Sequence, residues 1–285
     1  MTDKYAVLGN PIAHSKSPQI HKMFAAQTGQ DIGYEAILAP LDGFAATVER
    51  LRNAGYKGCN VTVPFKFEAF KLATQLSPQA DIAQAVNTLK LNFDGDVILG
   101  DNTDGIGLVR DIRFNLRITL NSKRVLLMGA GGAASGVILP LLHQGANITI
   151  VNRTADKAIT LARSRPIFKA NPQYDNATKN YAGSLKGCSY DDIGNQQFDV
   201  VINATSAGLS DEMPPLPPGL FAPGALAYEM MYGRETPFMT YARGHGAAVV
   251  SDGLGMLVEQ AAESFFIWRG VRPGTGPVIA ALRLP

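Results

Sequence analysis

Residues 125–142 carry no charge, and this stretch constrains the fold more than any other part of the chain. On length alone it could cross a membrane. Yet it holds four glycines, Ser135 and Pro140, and its apolar residues fall into two blocks around Gly129-Ala-Gly-Gly-Ala-Ala134. An apolar strand, a glycine turn of the form G-x-G-x-x-[GA] and a helix running to about Gly145 account for it better than a span. The first glycine permits the tight turn. The second lets backbone N–H groups approach a pyrophosphate at the helix N-terminus. Gly129, Ala130, Gly131, Gly132 and Ala133 are therefore candidate cofactor-binding residues.

Strand and helix signals alternate along most of the 285 residues, the pattern of a doubly wound α/β protein. Strands are expected over 5–8, 34–38 and 58–63, and helices from Pro18, over 44–54 and over 67–76. Asp94-Gly95, between strands at 86–93 and 97–99, is a type I′ hairpin signal. A second unit starts near Asp104, with strands at 124–128, 148–151, 199–202, 226–230 and 247–250 and a last helix over 256–268. The polar stretch 164–197 and the Pro-rich stretch 213–223 read as surface loops. At about 150 residues per domain, the length favours two domains.

Composition narrows the partners. Hydrophobic residues make up 46% and charged residues 18%, too apolar a balance for a disordered chain. The net charge of +2 comes without any run of like charge, so neither nucleic acid nor an anionic membrane surface is expected as a partner. A small molecule is. Cys59 and Cys188 belong to no C-x-x-C or His/Cys cluster, which excludes a zinc site of the usual spacing and predicts no bound metal. Both are read as reduced thiols of a cytoplasmic protein. The first residues pass into an apolar strand with no secretory leader expected.

Two sets of polar residues carry chemistry. After the strand at 148–151 come Asn152-Arg153-Thr154, with Lys157 beyond. A site for NAD places an acid here for the ribose 2′-hydroxyl. A guanidinium instead binds a 2′-phosphate through paired hydrogen bonds, so the cofactor is expected to be NADP(H). The other set lies in the first half. Ser15-Lys-Ser17-Pro18 precedes a helix, with Pro18 suited to its first position and Ser17 to its N-cap; two hydroxyls beside free N–H groups suit an anion. In Asn60-Val-Thr62-Val-Pro64-Phe-Lys66, alternation puts Asn60 and Thr62 on one face and Val61 and Val63 in the core. Lys66 then follows the carboxyl end of the strand, the edge where open α/β sheets bind ligands. Asn87 sits on a strand, and Asn102-Thr-Asp104-Gly105 at a strand-to-helix junction. Lys66 and Asp104 together supply a proton donor and a partner that orients it.

These motifs resemble those of the shikimate dehydrogenase family from end to end. They are Gly9-Asn-Pro11, Ser15-Lys-Ser-Pro18, Asn60-Val-Thr-Val-Pro-Phe-Lys66, Ala85-Val-Asn-Thr88 and Gly100-Asp-Asn-Thr-Asp-Gly105. They continue with the glycine turn, Asn152-Arg-Thr154, Asn203-Ala-Thr-Ser-Ala-Gly208 and Asp252-Gly-Leu-Gly-Met-Leu-Val-Glu-Gln260. The resemblance implies an α/β protein of two domains. Residues 1–104 with 253–285 would bind substrate, residues 105–252 would form a Rossmann-type NADP domain, and a cleft would lie between them. It implies NADPH-dependent reduction of 3-dehydroshikimate to shikimate, on the route to the aromatic amino acids, by a monomer or homodimer. Ser15 and Ser17 would hold the substrate carboxylate. Thr62, Asn87, Asp104 and Gln260 would hold its hydroxyls, with Tyr232 nearby. Lys66 would be the general acid and base. Met230 and Gly253 would border the nicotinamide, and Thr205 would lie along the cofactor. One departure is Glu229, where the family commonly has Asp. Two rivals remain open: a quinate/shikimate dehydrogenase with relaxed cofactor use, and a non-catalytic regulator on the same fold.

Overall fold

Strand β1 (Asp3–Gly9) buries Tyr5, Ala6, Val7 and Leu8 one after another, as a strand does when both faces of its sheet are covered. A computed structural model describes residues 2–93, 95–163, 183–205, 213 and 215–284. The chain divides into two units, Met1–Gly107 with Leu257–Pro285, and Leu108–Met256.

In the first unit β1 is followed by α1 (Ser17–Thr28), β2 (Ile32–Leu38), α2 (Phe44–Asn53), β3 (Tyr56–Val61) and α3 (Lys66–Leu72). Then come β4 (Gln75–Leu76), α4 (Pro78–Ala83), β5 (Thr88–Phe93) and β6 (Val97–Asp101). The strands form a mixed sheet in the order β2-β1-β3-β5-β6-β4, with β5 antiparallel to both β3 and β6. Its register pairs Leu8 with Val61, Asn60 with Thr88 and Thr88 with Asp101. The carboxyl ends of β1, β3 and β6 therefore share one edge with the start of β5.

Helix α5 (Asp104–Arg110) and one π turn, Asp111–Asn115, lead into the second sheet. Its elements are β7 (Arg124–Met128), α6 (Gly132–His143), β8 (Asn147–Val151), α7 (Ala155–Arg163), β9 (Leu185–Cys188), β10 (Phe198–Asn203), β11 (Phe221–Glu229), α8 (Pro237–Gly244) and β12 (Val249–Ser251). Helices α9 (Leu254–Arg269) and α10 (Gly276–Arg283) follow. The strand order β9-β8-β7-β10-β11-β12, all parallel, is that of a dinucleotide-binding Rossmann sheet, whose strand order reverses between β7 and β10. Alternate residues of β7 serve opposite faces. Val125 and Leu127 pack with Val137, Ile138 and Leu141 of α6, and Leu126 and Met128 pack with Phe238 and Ala242 of α8. Among the described residues no helix is long and apolar enough to cross a membrane, and no group of His, Cys, Asp or Glu is arranged to hold a metal ion.

Several sequence expectations need correction. Strand β3 ends at Val61, because residues 62–65 form a turn closed by the Phe65 N–H on the Thr62 carbonyl at 3.0 Å. Val63 is consequently 68% exposed, and Phe65 fills the core position assigned to it. The helix expected over 67–76 stops at Leu72, and Gln75–Leu76 pair with β6 instead. Ser17 is the first residue of α1 and not its cap; the capping position falls on Lys16, with no side-chain cap. The loop expected over 164–197 contains β9 and a short 3-10 turn, Asp191–Ile193, while residues 164–182 lie outside the described residues. Strand β11 begins at Phe221, inside the other expected loop. Asp94 of the hairpin signal also lies outside the described residues, though β5 and β6 pair as expected.

Candidate active site

The edge shared by β3, β5 and β6 gathers the polar residues of the first unit. Lys66 opens α3 just after the 62–65 turn, and its carbonyl accepts the Val86 N–H at 2.9 Å, which ties the helix to the start of β5. Its ammonium donates to Asp104 Oδ2 at 2.5 Å. The other carboxylate oxygen of Asp104 accepts from Asn87 Nδ2 at 2.8 Å. Asn87 is held in turn by the Thr103 N–H and the Thr88 hydroxyl, both donating to Oδ1 at 2.9 Å. Gln260, on α9, accepts from Asn87 Nδ2 and from the Thr103 hydroxyl at 3.3 Å each. Side chains from several elements thus fix one ammonium group and its counter-ion, because each bond in a buried, satisfied network restrains the next.

Behind them lies a second polar layer, of which motif reading singles out only Asn60. Ser264, one helical turn beyond Gln260, meets Thr88 Oγ1 at 2.8 Å and accepts from Asn60 Nδ2 at 2.9 Å. Asn60 Oδ1 accepts from the Tyr34 hydroxyl at 2.8 Å. Burial holds the Tyr34 phenol well above its usual pKa. The Tyr34 ring stacks on His21 with centroids 4.1 Å apart. His21 is fully buried, neither ring nitrogen is within hydrogen-bonding geometry of a partner among the described residues, and burial, opposed weakly by the neighbouring Asn60 side chain, pushes its pKa down to about 3. Asp101 accepts from the Ser77 hydroxyl and the Asn102 N–H, yet burial raises its pKa.

Three further expected ligands, Thr62, Ser15 and Ser17, follow the strand ends of the first unit. The Thr62 N–H donates to the Leu8 carbonyl at 2.9 Å, and the Thr62 methyl approaches Gly9 so closely that an added Cβ there would lie 2.5 Å from it. Ser15 precedes α1 and accepts the Ser17 N–H on its hydroxyl at 3.3 Å, with Ser17 itself buried. Tyr232 belongs to the second unit, in the turn after β11, where burial raises its pKa.

In the second unit the strand ends are in register. Met128 pairs with Val151 and Asn203, and Asn203 pairs with Glu229, so the loops after β7, β8, β10 and β11 all leave from one edge. Gly129 has φ +108° and packs where a Cβ would lie 3.0 Å from the Ala204 carbonyl oxygen; a side chain here would meet both strain and a clash. Gly131 and Gly132 are exposed, and an added Cβ on either would meet nothing within 4 Å. Helix α6 starts there with no side-chain cap, leaving its first N–H groups for an anion. Ala130 and Ala133 complete the turn. Asn152 donates to the Thr154 carbonyl at 3.0 Å, shaping the turn that presents Arg153 and Lys157, both exposed. Thr205 donates its N–H and its hydroxyl to Asn203 Oδ1 at 3.1 and 2.7 Å. Gly253 donates to the Met231 carbonyl at 2.8 Å, and a Cβ on it would lie 2.2 Å from the Met230 carbonyl oxygen. The open glycine face, the uncapped helix and the cationic turn together fit a dinucleotide that carries a 2′-phosphate.

Three family models match this chain. A shikimate dehydrogenase substrate binding domain matches residues 7–89, a shikimate / quinate 5-dehydrogenase model residues 112–209, and a shikimate 5′-dehydrogenase C-terminal domain residues 253–283. A shikimate dehydrogenase (NADP(+)) of Methylobacillus flagellatus is 59% identical over 283 residues, 99% of each chain. The chain belongs to the shikimate dehydrogenase family. Another shikimate dehydrogenase (NADP(+)), from Dechloromonas aromatica, is 58% identical over 99% of this chain and 98% of its own. Among solved structures, an Ael1 enzyme from Pseudomonas putida is 46% identical with a TM-score of 0.87, covering 100% of this chain and 99% of its own. A shikimate 5-dehydrogenase from Thermus thermophilus, solved with NADP(H) and shikimate, is 30% identical with a TM-score of 0.83, covering 99% of both chains. Shikimate dehydrogenase family membership accounts for the two-sheet architecture and for an oxidoreductase built on it.

Proposed function

We propose that this chain catalyses the reversible, NADPH-dependent reduction of 3-dehydroshikimate to shikimate, with Lys66 as general acid and base. The observation that carries the reading is the run of hydrogen bonds from Lys66 through Asp104 to Asn87. It aims one ammonium group from a sheet edge, and among the described residues only Asp104 takes one of its three protons, which leaves two for a ligand. Bound NADPH supplies a hydride to the substrate carbonyl carbon. Lys66 gives a proton to the carbonyl oxygen as charge develops there, so that C=O becomes CH–OH and the amine is left neutral. Asp104 orients the ammonium before transfer, and solvent restores the proton afterwards. In the oxidative direction Lys66 takes the hydroxyl proton back.

In the same reading Ser15 and Ser17 receive the substrate carboxylate, and Thr62, Asn87, Asp104 and Gln260 receive its hydroxyls, with Tyr232 beside them. The turn from Gly129 to Ala133 cradles the pyrophosphate, and Asn152, Arg153, Thr154 and Lys157 receive the adenosine 2′-phosphate. Thr205, Met230 and Gly253 line the nicotinamide side. Residues 1–104 with 253–285 act as the substrate domain and residues 105–252 as the NADP domain. The protein acts in the cytoplasm on a small molecule, as a monomer or homodimer, without nucleic acid.

The test follows nicotinamide absorbance during oxidation of shikimate and of quinate, each with NADP⁺ and with NAD⁺. Turnover confined to shikimate with NADP⁺ is expected. Comparable rates with quinate or NAD⁺ would move the chain to the broader quinate/shikimate activity. Absence of turnover in all four mixtures, from folded protein that binds NADP⁺, would leave a regulator.

A further inference from the structure

Glu229 ends β11 with its side chain completely buried. Its Oε2 accepts from Asn203 Nδ2 at 2.7 Å and from the Thr236 hydroxyl at 2.9 Å, and its Oε1 accepts the Met231 N–H at 3.0 Å. All three partners are donors. An acceptor-only carboxylate suits them, and an amide would turn an N–H toward at least one. Among the described residues no cation pairs with Glu229, so its charge is met by the dipoles of these groups.

Each partner fixes a segment. Asn203 ends β10 and holds both donors of Thr205 on its Oδ1, while its backbone carbonyl accepts the Met230 N–H at 3.1 Å. Met231 carries the Gly253 N–H on its carbonyl. Thr236 is the N-cap of α8. One buried carboxylate thereby ties together the loops that leave β10 and β11, on the edge where this sheet type binds its ligand. The turn around Gly129 and Arg153 has no hydrogen bond to Glu229 among the described residues.

We propose that Glu229 is a positioning residue: its carboxylate sets Thr205 and Met230 for the nicotinamide half of the cofactor, leaving the adenosine 2′-phosphate half to the other loops. The proposal rests on the NADP reading above. The test uses the full chain and its E229Q and E229D variants. It compares direct binding of NADPH, followed by its fluorescence, with binding of 2′,5′-ADP, which carries the 2′-phosphate and no nicotinamide. E229Q is expected to lose about ten-fold or more in NADPH affinity, since a buried donor is left facing a donor, while 2′,5′-ADP affinity holds within about two-fold. E229D keeps the charge on a shorter arm and is expected to fall between. Should E229Q fail to fold, E229D decides by the same contrast. Equal losses for both ligands, or none for either, would overturn the proposal and leave Glu229 a purely structural acid. A wild-type chain that bound neither ligand would overturn the NADP reading and this proposal together.

Discussion

Replacing His21 with methionine should make the first unit less sensitive to acid. The ring is fully buried between Tyr34, Phe24, Phe265 and Trp268, and neither nitrogen has a hydrogen-bond partner among the described residues. Burial therefore holds its pKa at about 3, against an ordinary value of 6.5. Once unfolded, the chain takes up a proton below about pH 6.5 that the folded chain refuses. The contribution to stability is thus complete above that value and is lost as pH falls toward 3, by up to about 1.4 kcal/mol per pH unit. Between about pH 7.5 and 4.5 the loss comes to about 3 kcal/mol. Methionine is similar in volume and does not titrate. Its loss of stacking, about 1 kcal/mol, is independent of pH and appears as a constant offset. Urea unfolding can be followed by the fluorescence of Trp268, the single tryptophan, whose ring lies 5.5 Å from that of His21. Carboxylates common to both proteins cancel in the difference. The wild type should lose about 3 kcal/mol more than H21M across this window. Parallel stability curves would refute the argument, since they would mean that His21 accepts its proton in the folded state.

Lys66→Ala should lower turnover by about 10²-fold or more while NADPH affinity stays nearly constant; near-normal kcat would remove the acid–base assignment. Arg153→Ala should weaken NADPH by about ten-fold or more and leave NADH almost untouched, as read by fluorescence titration, whereas equal losses would show that it does not contact the 2′-phosphate. Gly131→Val places a side chain where a Cβ meets nothing within 4 Å, so melting should change by no more than about 0.5 kcal/mol. NADPH affinity should nevertheless fall sharply, and retained binding would refute the pyrophosphate cradle.

What the sequence revealed best was chemistry set by local pattern. The turn at Gly129 is readable because its two flanking periodicities differ, and Lys66, Asn87 and Asp104 because each opens a regular element or immediately precedes one. Local pattern failed where a turn interrupts alternation, as at Thr62, which sends Val63 outward and Phe65 inward. It failed again for β9, a four-residue strand whose Gly187 packs so closely on α7 that an added Cβ would lie 2.3 Å from the Ala158 carbonyl oxygen. Ser264 was invisible for another reason. Its bond to Asn60 joins residues 204 positions apart, and nothing near either one announces the other. Glu229 stood out as a departure from a family pattern, but one of its three donors, Asn203, ends a different strand that only the fold brings beside it.

The helix that completes the first unit is reached late. Trp268 donates to the Leu89 carbonyl at 3.0 Å and stacks on Tyr5 at 4.7 Å, while Gly58 stays bare because an added Cβ would lie 2.5 Å from the indole nitrogen. A ribosome must therefore translate all of Leu108–Met256 before Trp268, the partner of Tyr5 and Leu89, and Ser264, one of the partners of Asn60, exist. Domains fold as units during synthesis, so the inserted Rossmann unit can close its core while the earlier-made half still waits with an uncovered sheet. A nascent chain arrested after Met256 would carry a protease-resistant second sheet and a digestible first one, an inversion of the usual order in which the first-made domain folds first.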